Sequence, residues 1–103
     1  MYGVMMRYLI GKIEEWGEQK GILPNTDPMA QWSKTDEEVS ELRQAIIDSN
    51  REEVADAIGD IVVTLVMQSK AWDLDIEECV RQAYKVIAQR TGKMVDGVFV
   101  KDE

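Results

Sequence analysis

The stretch Glu53-Val54-Ala55-Asp56-Ala57-Ile58-Gly59-Asp60-Ile61-Val62-Val63-Thr64-Leu65-Val66-Met67-Gln68-Ser69 decides the fold. From Ala57 to Ser69 it holds one ionisable residue, Asp60, and its apolar side chains fall on nearly every side of a helix, the pattern of a buried helix. Glu53, Asp56 and Asp60 form one column that continues into Val63 and Met67, so three acids run into an apolar surface. Like charges stacked in a partly buried column repel one another and demand a partner. A cation is the natural one; the alternative is neutralisation by Arg43, Lys70 or another basic chain.

Working outward, Ser49 and Asn50 supply a stop and an N-cap, which sets this helix at about Arg51 to Ala71. Before it, Asp27 followed by Pro28 reads as an N-cap with proline at the first helical position, where the missing N–H costs nothing. A helix is expected from Pro28 to about Ile47, with Trp32, Val39, Leu42 and Ile46 on its core face. Further back, Met5, Leu9, Ile13 and Trp16 recur at helical spacing between Tyr2 and Lys20, and Gly21 to Thr26 breaks the run. After the central helix, Asp73 and Asp75 mark a turn into a fourth helix, Ile76 to about Thr91, which Gly92 is expected to cap. The tail from Met94 alternates weakly around Gly97 and reads as a short extended segment. Long helices with short connections predict an all-α four-helix bundle, one domain over residues 1–103. Four helices in so short a chain cannot cover a helix that is apolar on almost every side, so a homodimer or homotetramer is expected.

The net charge of −8, with twelve Lys and Arg scattered along the chain, disfavours nucleic-acid binding. It is compatible with a free nucleotide chelated to a cation, because bound divalent ions reverse the local field. Cys79 is the single cysteine and there is no histidine, which excludes zinc fingers and histidine-based triads. The N-terminal apolar stretch is interrupted by Arg7 and has no small-residue cleavage site, so a cytoplasmic protein without a membrane segment is expected.

The chemistry rests on two acidic pairs. Glu37, Glu38 and Glu41 spell E-E-x-x-E in the second helix, and Glu53 and Asp56 spell E-x-x-D in the third. Residues three apart share a helix face, so Glu38 with Glu41 and Glu53 with Asp56 each present two carboxylates side by side. Packed together, the two helices would make a four-carboxylate cage for a hard ion, Mg²⁺ or Mn²⁺ in its place. Such pairs are also common on solvated helix faces, where they bind nothing. Gln31, Lys34 and Glu38 form a column leading to the acids, and Lys34 is either a phosphate contact or the partner of Glu38. Trp16 and Trp32 are candidate base contacts or plain core.

The string Q-x-x-K-x-x-E-E-x-x-E, read as Gln31, Lys34, Glu37, Glu38 and Glu41, followed by Glu53-Val54-Ala55-Asp56, resembles the MazG-like nucleotide pyrophosphohydrolases of the all-α NTP pyrophosphatase superfamily. The W-G-E-x-K-G-I-L segment from Trp16, the DAIGD segment from Asp56 and the ending R-T-G-K-M-V-D-G-V-F-V look like short phage-type members. The resemblance implies a helical bundle in which Glu38, Glu41, Glu53 and Asp56 bind Mg²⁺, usually in a dimer or tetramer with sites near subunit interfaces. Asp60, an extra acid one turn on, replaces Asp56 or assists it. The implied reaction is hydrolysis of a nucleoside triphosphate to the monophosphate and pyrophosphate, with Glu37 or Asp60 orienting the attacking water or taking its proton. Lys34, Arg90 and Lys93 are the candidate phosphate clamps, the last two equally explained as complements to a helix C-terminus. The competing expectation is a non-catalytic helical module for oligomerisation or regulatory binding.

Overall fold

A computed structural model describes residues 2–102. The order of elements is α1 (Tyr2–Gln19), α2 (Pro28–Ile47), α3 (Arg51–Ala71), α4 (Ile76–Ile87), β1 (Gly92–Val95) and β2 (Val98–Lys101). Each of the last three helices opens on an acidic or amide cap. Asp27 accepts from the Ala30 N–H at 2.9 Å with Pro28 beside it, Asn50 accepts from the Glu53 N–H at 3.2 Å, and Asp75 accepts from the Glu77 N–H at 2.9 Å. These bonds satisfy N–H groups that no helix can satisfy for itself.

The bundle is built on α3. Helix α2 packs along it most extensively, α1 crosses it, and α4 leans on it more thinly. The face that α2 gives to α3 is not the one the apolar residues mark. Thr35 and Ala45 are buried and Gln31, Glu38 and Leu42 half-buried, whereas Val39 and Ile46 stand exposed. The seam therefore runs through Gln31, Thr35, Glu38, Leu42 and Ala45, at alternating spacings of four and three. Polar pairing selects this face: Thr35 Oγ1 and Thr64 Oγ1 meet at 3.0 Å in the interior, and Gln31 Nε2 donates to the Thr64 carbonyl at 3.3 Å. Glu38 thereby sits within the seam rather than at its edge.

Helix α1 closes on α3 at Gly17, which is buried against the fully enclosed Met67. A Cβ at Gly17 would fall 2.7 Å from Met67 Sδ, so glycine sets how near the two helices lie. The opposite flank of α3 is open: Ile58, Val62 and Leu65 are exposed, so the other helices of one chain do not cover α3 on every side. Helix α4 has no buried residue at all. The whole chain exposes 8312 Å², whereas a compact monomer of 11.8 kDa exposes about 5,900 Å². Its radius of gyration, 15.9 Å, likewise exceeds the roughly 12.8 Å of a compact chain of this length.

The C-terminal region corrects the sequence reading. Helix α4 ends at Ile87 rather than near Thr91, and Gly92 is not a helix cap but the first residue of β1. A Cβ there would strike the Val100 carbonyl and the Phe99 ring. The tail is a regular antiparallel hairpin in which Gly92 faces Lys101, Met94 faces Phe99 and Val95 faces Val98. Asp96 and Gly97 form its two-residue turn with φ of 50° and 84°, the left-handed pair that closes such hairpins. Among the described residues no helix is long and apolar enough to cross a membrane.

Candidate active site and metal centre

The α2–α3 seam carries its acids near one end. Glu38 and Glu41 come from successive turns of α2, and Asp60 reaches them from α3, with one carboxylate oxygen of each within 4.8 Å of the others. Glu38 Oε2 is closed off from solvent and has no hydrogen-bond partner. The Glu38 carboxyl is pushed above the usual carboxylate range. The largest cause is its contact with the Glu41 carboxylate, which favours a proton between them; burial follows, then the negative charges of Glu41 and Asp60, with Lys34 opposing.

A second grouping adjoins the first. Glu41, Gln44, Glu53, Asp56 and Ala57 line a cavity of about 310 Å³ between the same helices. Glu41 belongs to both groupings. The four-carboxylate cage expected of Glu38, Glu41, Glu53 and Asp56 is thus divided: Asp60, not Asp56, completes the tight cluster, while Glu53 and Asp56 face Glu41 across the neighbouring cavity. The helical period explains the division. Asp60 lies one turn beyond Asp56, and in this antiparallel pair that turn brings it level with Glu38.

On the other side of Glu38 and Asp60 is a mostly apolar cavity of about 260 Å³, lined by Trp16, Ile22, Val63 and Met67, with Gln31, Lys34 and Thr64 as its polar members. The Gln31 amide is oriented by chemistry, since a carbonyl can only accept and the Thr64 carbonyl therefore takes an N–H from it. Trp16 also borders a shallower recess with Leu9, Lys12, Ile13, Asp60 and Val63. Trp32, half-exposed, lines neither.

Neutralisation by protein cations does not occur among the described residues. Lys70 is held by Glu14 at 3.2 Å, and Arg43 joins no ion pair. Lys34 pairs with Glu37 at 3.3 Å rather than with Glu38, which leaves both side chains exposed beside the cavity mouth and Glu37 outside the cluster. Arg90 and Lys93 lie beyond the end of α4, exposed, and not in its last turn. A further cavity, about 450 Å³ between α1 and the start of α4, is electrically closed: Arg7 pairs with Glu77, Lys70 with Glu14 and Arg81 with Glu78. The acids of the seam have no such partners. Three converging carboxylates with one buried, unbonded oxygen fit a hard divalent cation, which takes oxygen donors and offsets their repulsion.

Sequence comparison supplies the family. The family model of phosphoribosyl-ATP pyrophosphohydrolase matches residues 24–97, and the chain belongs to that family, within the MazG-like all-α NTP pyrophosphohydrolase superfamily. The matched span runs from just before α2 into the hairpin and contains every acid of both groupings. The chain is also similar to the uncharacterized 18.2 kDa protein in the rep-hol intergenic region of Haemophilus phage HP1 (strain HP1c1), with 30% identity over 70 residues. That likeness covers 68% of this chain and 43% of the phage protein, so the chain spans less than half of its relative. No solved structure gives a significant match.

Proposed function

We propose that this chain is a magnesium-dependent nucleoside triphosphate pyrophosphohydrolase, in which water displaces pyrophosphate from the α-phosphorus and leaves the nucleoside monophosphate. The observation that carries this reading is the trio Glu38, Glu41 and Asp60 within 4.8 Å, with Glu38 Oε2 buried and unbonded. Glu38, Glu41 and Asp60 would hold one cation, and Glu41, Glu53 and Asp56 a second. A divalent ion bound there, Mg²⁺ or Mn²⁺, supplies charge neutralisation for the phosphates and acidifies water.

The residues of the chain do the rest. Trp16, Ile22, Val63 and Met67 offer an apolar slot for the base, with Gln31 hydrogen-bonding its edge. Lys34 sits at the cavity wall between that slot and the acids, placed for a phosphate oxygen. Asp60 is the nearer candidate to orient the attacking water and take its proton, since it faces both the cluster and the slot. Glu37 is held by Lys34 and would act only if that pair opens. A homodimer or larger homo-oligomer accounts for the open flank of α3 and the uncovered α4.

The test is pyrophosphate release from a panel of ribo- and deoxynucleoside triphosphates with and without magnesium. Magnesium-dependent release, lost in Glu41→Gln and Glu53→Gln proteins that still fold, is expected. Full turnover in both variants would remove these acids from the reaction. Absence of release from every triphosphate, together with no thermal stabilisation by magnesium plus nucleotide, would favour a non-catalytic helical module.

A further inference from the structure

We propose that the slot beside the acids selects a nucleobase with an exocyclic amino group, cytosine or adenine, and that the side-chain amide of Gln31 makes the selection; that a nucleotide enters the slot rests on the pyrophosphohydrolase reading above. A glutamine ordinarily reads amino and oxo bases alike, because its amide can turn by half a rotation and exchange donor for acceptor. Here that turn is closed. Gln31 Nε2 donates to the Thr64 carbonyl at 3.3 Å, and a turned amide would set Oε1 against that carbonyl, two acceptors with no proton between them. The fold therefore sets the direction of the amide before any base arrives.

The hydrogen-bonding capacity left in the slot is one-sided. Thr64 Oγ1 spends its proton on the Ile61 carbonyl at 2.7 Å. The Thr35 hydroxyl spends its own between Thr64 Oγ1 at 3.0 Å and the Gln31 backbone carbonyl at 3.2 Å. Lys34 is paired with Glu37, and the other polar lining groups, Glu38 and Asp60, are acids. What remains for a base is the Gln31 amide. Its Oε1 accepts no bond among the described residues and is not sealed from solvent, and its Nε2 keeps one N–H. Acceptors thus outnumber donors, and the neighbouring carboxylates add a negative field. An amino group, with two N–H bonds and a ring nitrogen beside it to take the remaining N–H, matches this supply. An oxo group in the same place sets oxygen against oxygen.

Position along the helices fixes which part of a nucleotide meets the amide. Gln31 stands two turns before Glu38 on α2, about 10 Å along the axis, and Thr64 one turn beyond Asp60 on α3. Phosphates held at the acids therefore bring the far edge of the base, not the sugar, to Gln31. To offer Oε1 its ring N–H instead, an oxo base must slide by one ring position against phosphates that are already anchored. The closed turn of the amide and the anchored phosphates together remove the two ways in which a glutamine accommodates the wrong base.

Matched nucleotides that differ at this one position test the selection, and on the wild-type chain they need no variant. With magnesium, kcat/KM for pyrophosphate release should be at least about tenfold higher for CTP than for UTP and for ATP than for inosine triphosphate, because a site built to hydrogen-bond a group rejects the analogue without it. A preference in one pair alone assigns that base, cytosine or adenine. Equal rates within both pairs, or a preference for the oxo member, would overturn the proposal. Gln31→Met, close in size and without hydrogen-bonding groups, should bring the ratio to about one; a ratio unchanged in that variant would remove Gln31 from the selection. Calorimetry with the corresponding nucleoside monophosphates reads the same ratio without turnover. A chain inactive on every triphosphate that still binds the amino monophosphates more tightly would sink the pyrophosphohydrolase reading and leave the selection standing. An active chain indifferent within both pairs would do the reverse.

Discussion

Replacing Glu38 by glutamine separates a metal centre from an ordinary acidic surface. Glutamine keeps the shape and removes the charge from a trio whose oxygens lie within 4.8 Å, where two unit charges repel by about 0.9 kcal/mol in water and about 3.5 kcal/mol at an effective dielectric near 20. Glu41 is well exposed and solvent screens it, so the lower figure applies for each neighbour and the sum is about 1–2 kcal/mol. Without divalent ions, Glu38→Gln should therefore be more stable than the wild type at pH 8, with a midpoint raised by several degrees, at about 4–8 °C per kcal/mol for a domain of this size. The pH dependence has a definite sign. Because the Glu38 carboxyl is raised by Glu41, burial and Asp60, its contribution to stability is present when it is protonated and lost as pH rises through its folded value. The advantage of the variant should shrink as the pH falls into the carboxylate range and grow above it.

Magnesium or manganese reverses the order. Cation binding competes with the proton, so the thermal shift of the wild type should increase with pH over the same range, and the variant should show little of it. The assay is thermal unfolding in chelator and in millimolar metal, at one fixed protein concentration throughout. A variant that is less stable than the wild type in chelator at pH 8, or that keeps the full metal shift, would refute the argument: the trio would then be either held by bonds not seen here or indifferent to cations.

Other perturbations read other parts of the molecule. Trp16→Ala should raise KM for nucleotides about tenfold or more with a smaller change in kcat, since base stacking is worth about 1–3 kcal/mol and the slot lies away from the reacting phosphorus; an equal loss in both constants would move Trp16 from binding to positioning. Asp60→Asn should weaken metal binding in calorimetry more than Asp56→Asn does, because Asp60 is the acid within the tight trio; the opposite order would return the primary site to the Glu53 pair. Gly17→Val should lower stability by about 1–3 kcal/mol in denaturant unfolding, because its branches meet the enclosed Met67. A neutral outcome would mean that α1 can ride outward without loss.

The helices and their starts were legible because each signal is local. Asp27-Pro28 and Asn50 cap as read, Asp75 caps the helix whose preceding turn it was read to mark, and a cap is decided by a few neighbouring residues. The face of α2 was not legible from hydrophobicity, because the residues that pack are Thr35 and Ala45 while Val39 and Ile46 are left outside. A threonine hydroxyl that finds another hydroxyl on α3 is as good a seam residue as a valine, but its partner is 29 positions away and leaves no periodic trace. The hairpin did leave a trace: Asp96-Gly97 between alternating residues is a strong two-residue turn signal, outweighed in the sequence reading by treating Gly92 as a helix cap.

The site was legible in kind but not in grouping. Spacing along α2 and α3 shows which acids share a face, yet the level at which two helices cross is a tertiary quantity, set here by the Thr35–Thr64 and Gln31–Thr64 contacts. Those contacts bring Asp60 level with Glu38 and leave Glu53 and Asp56 one turn away, sharing Glu41. The same hydroxyl pairing turns Val39 and Ile46 out of the core, and with Ile58, Val62 and Leu65 on the far flank of α3 it leaves the exterior of the chain partly apolar. A register that converges carboxylates thus also leaves apolar side chains on the outside of one chain, and both follow from the same hydroxyl pairing between α2 and α3.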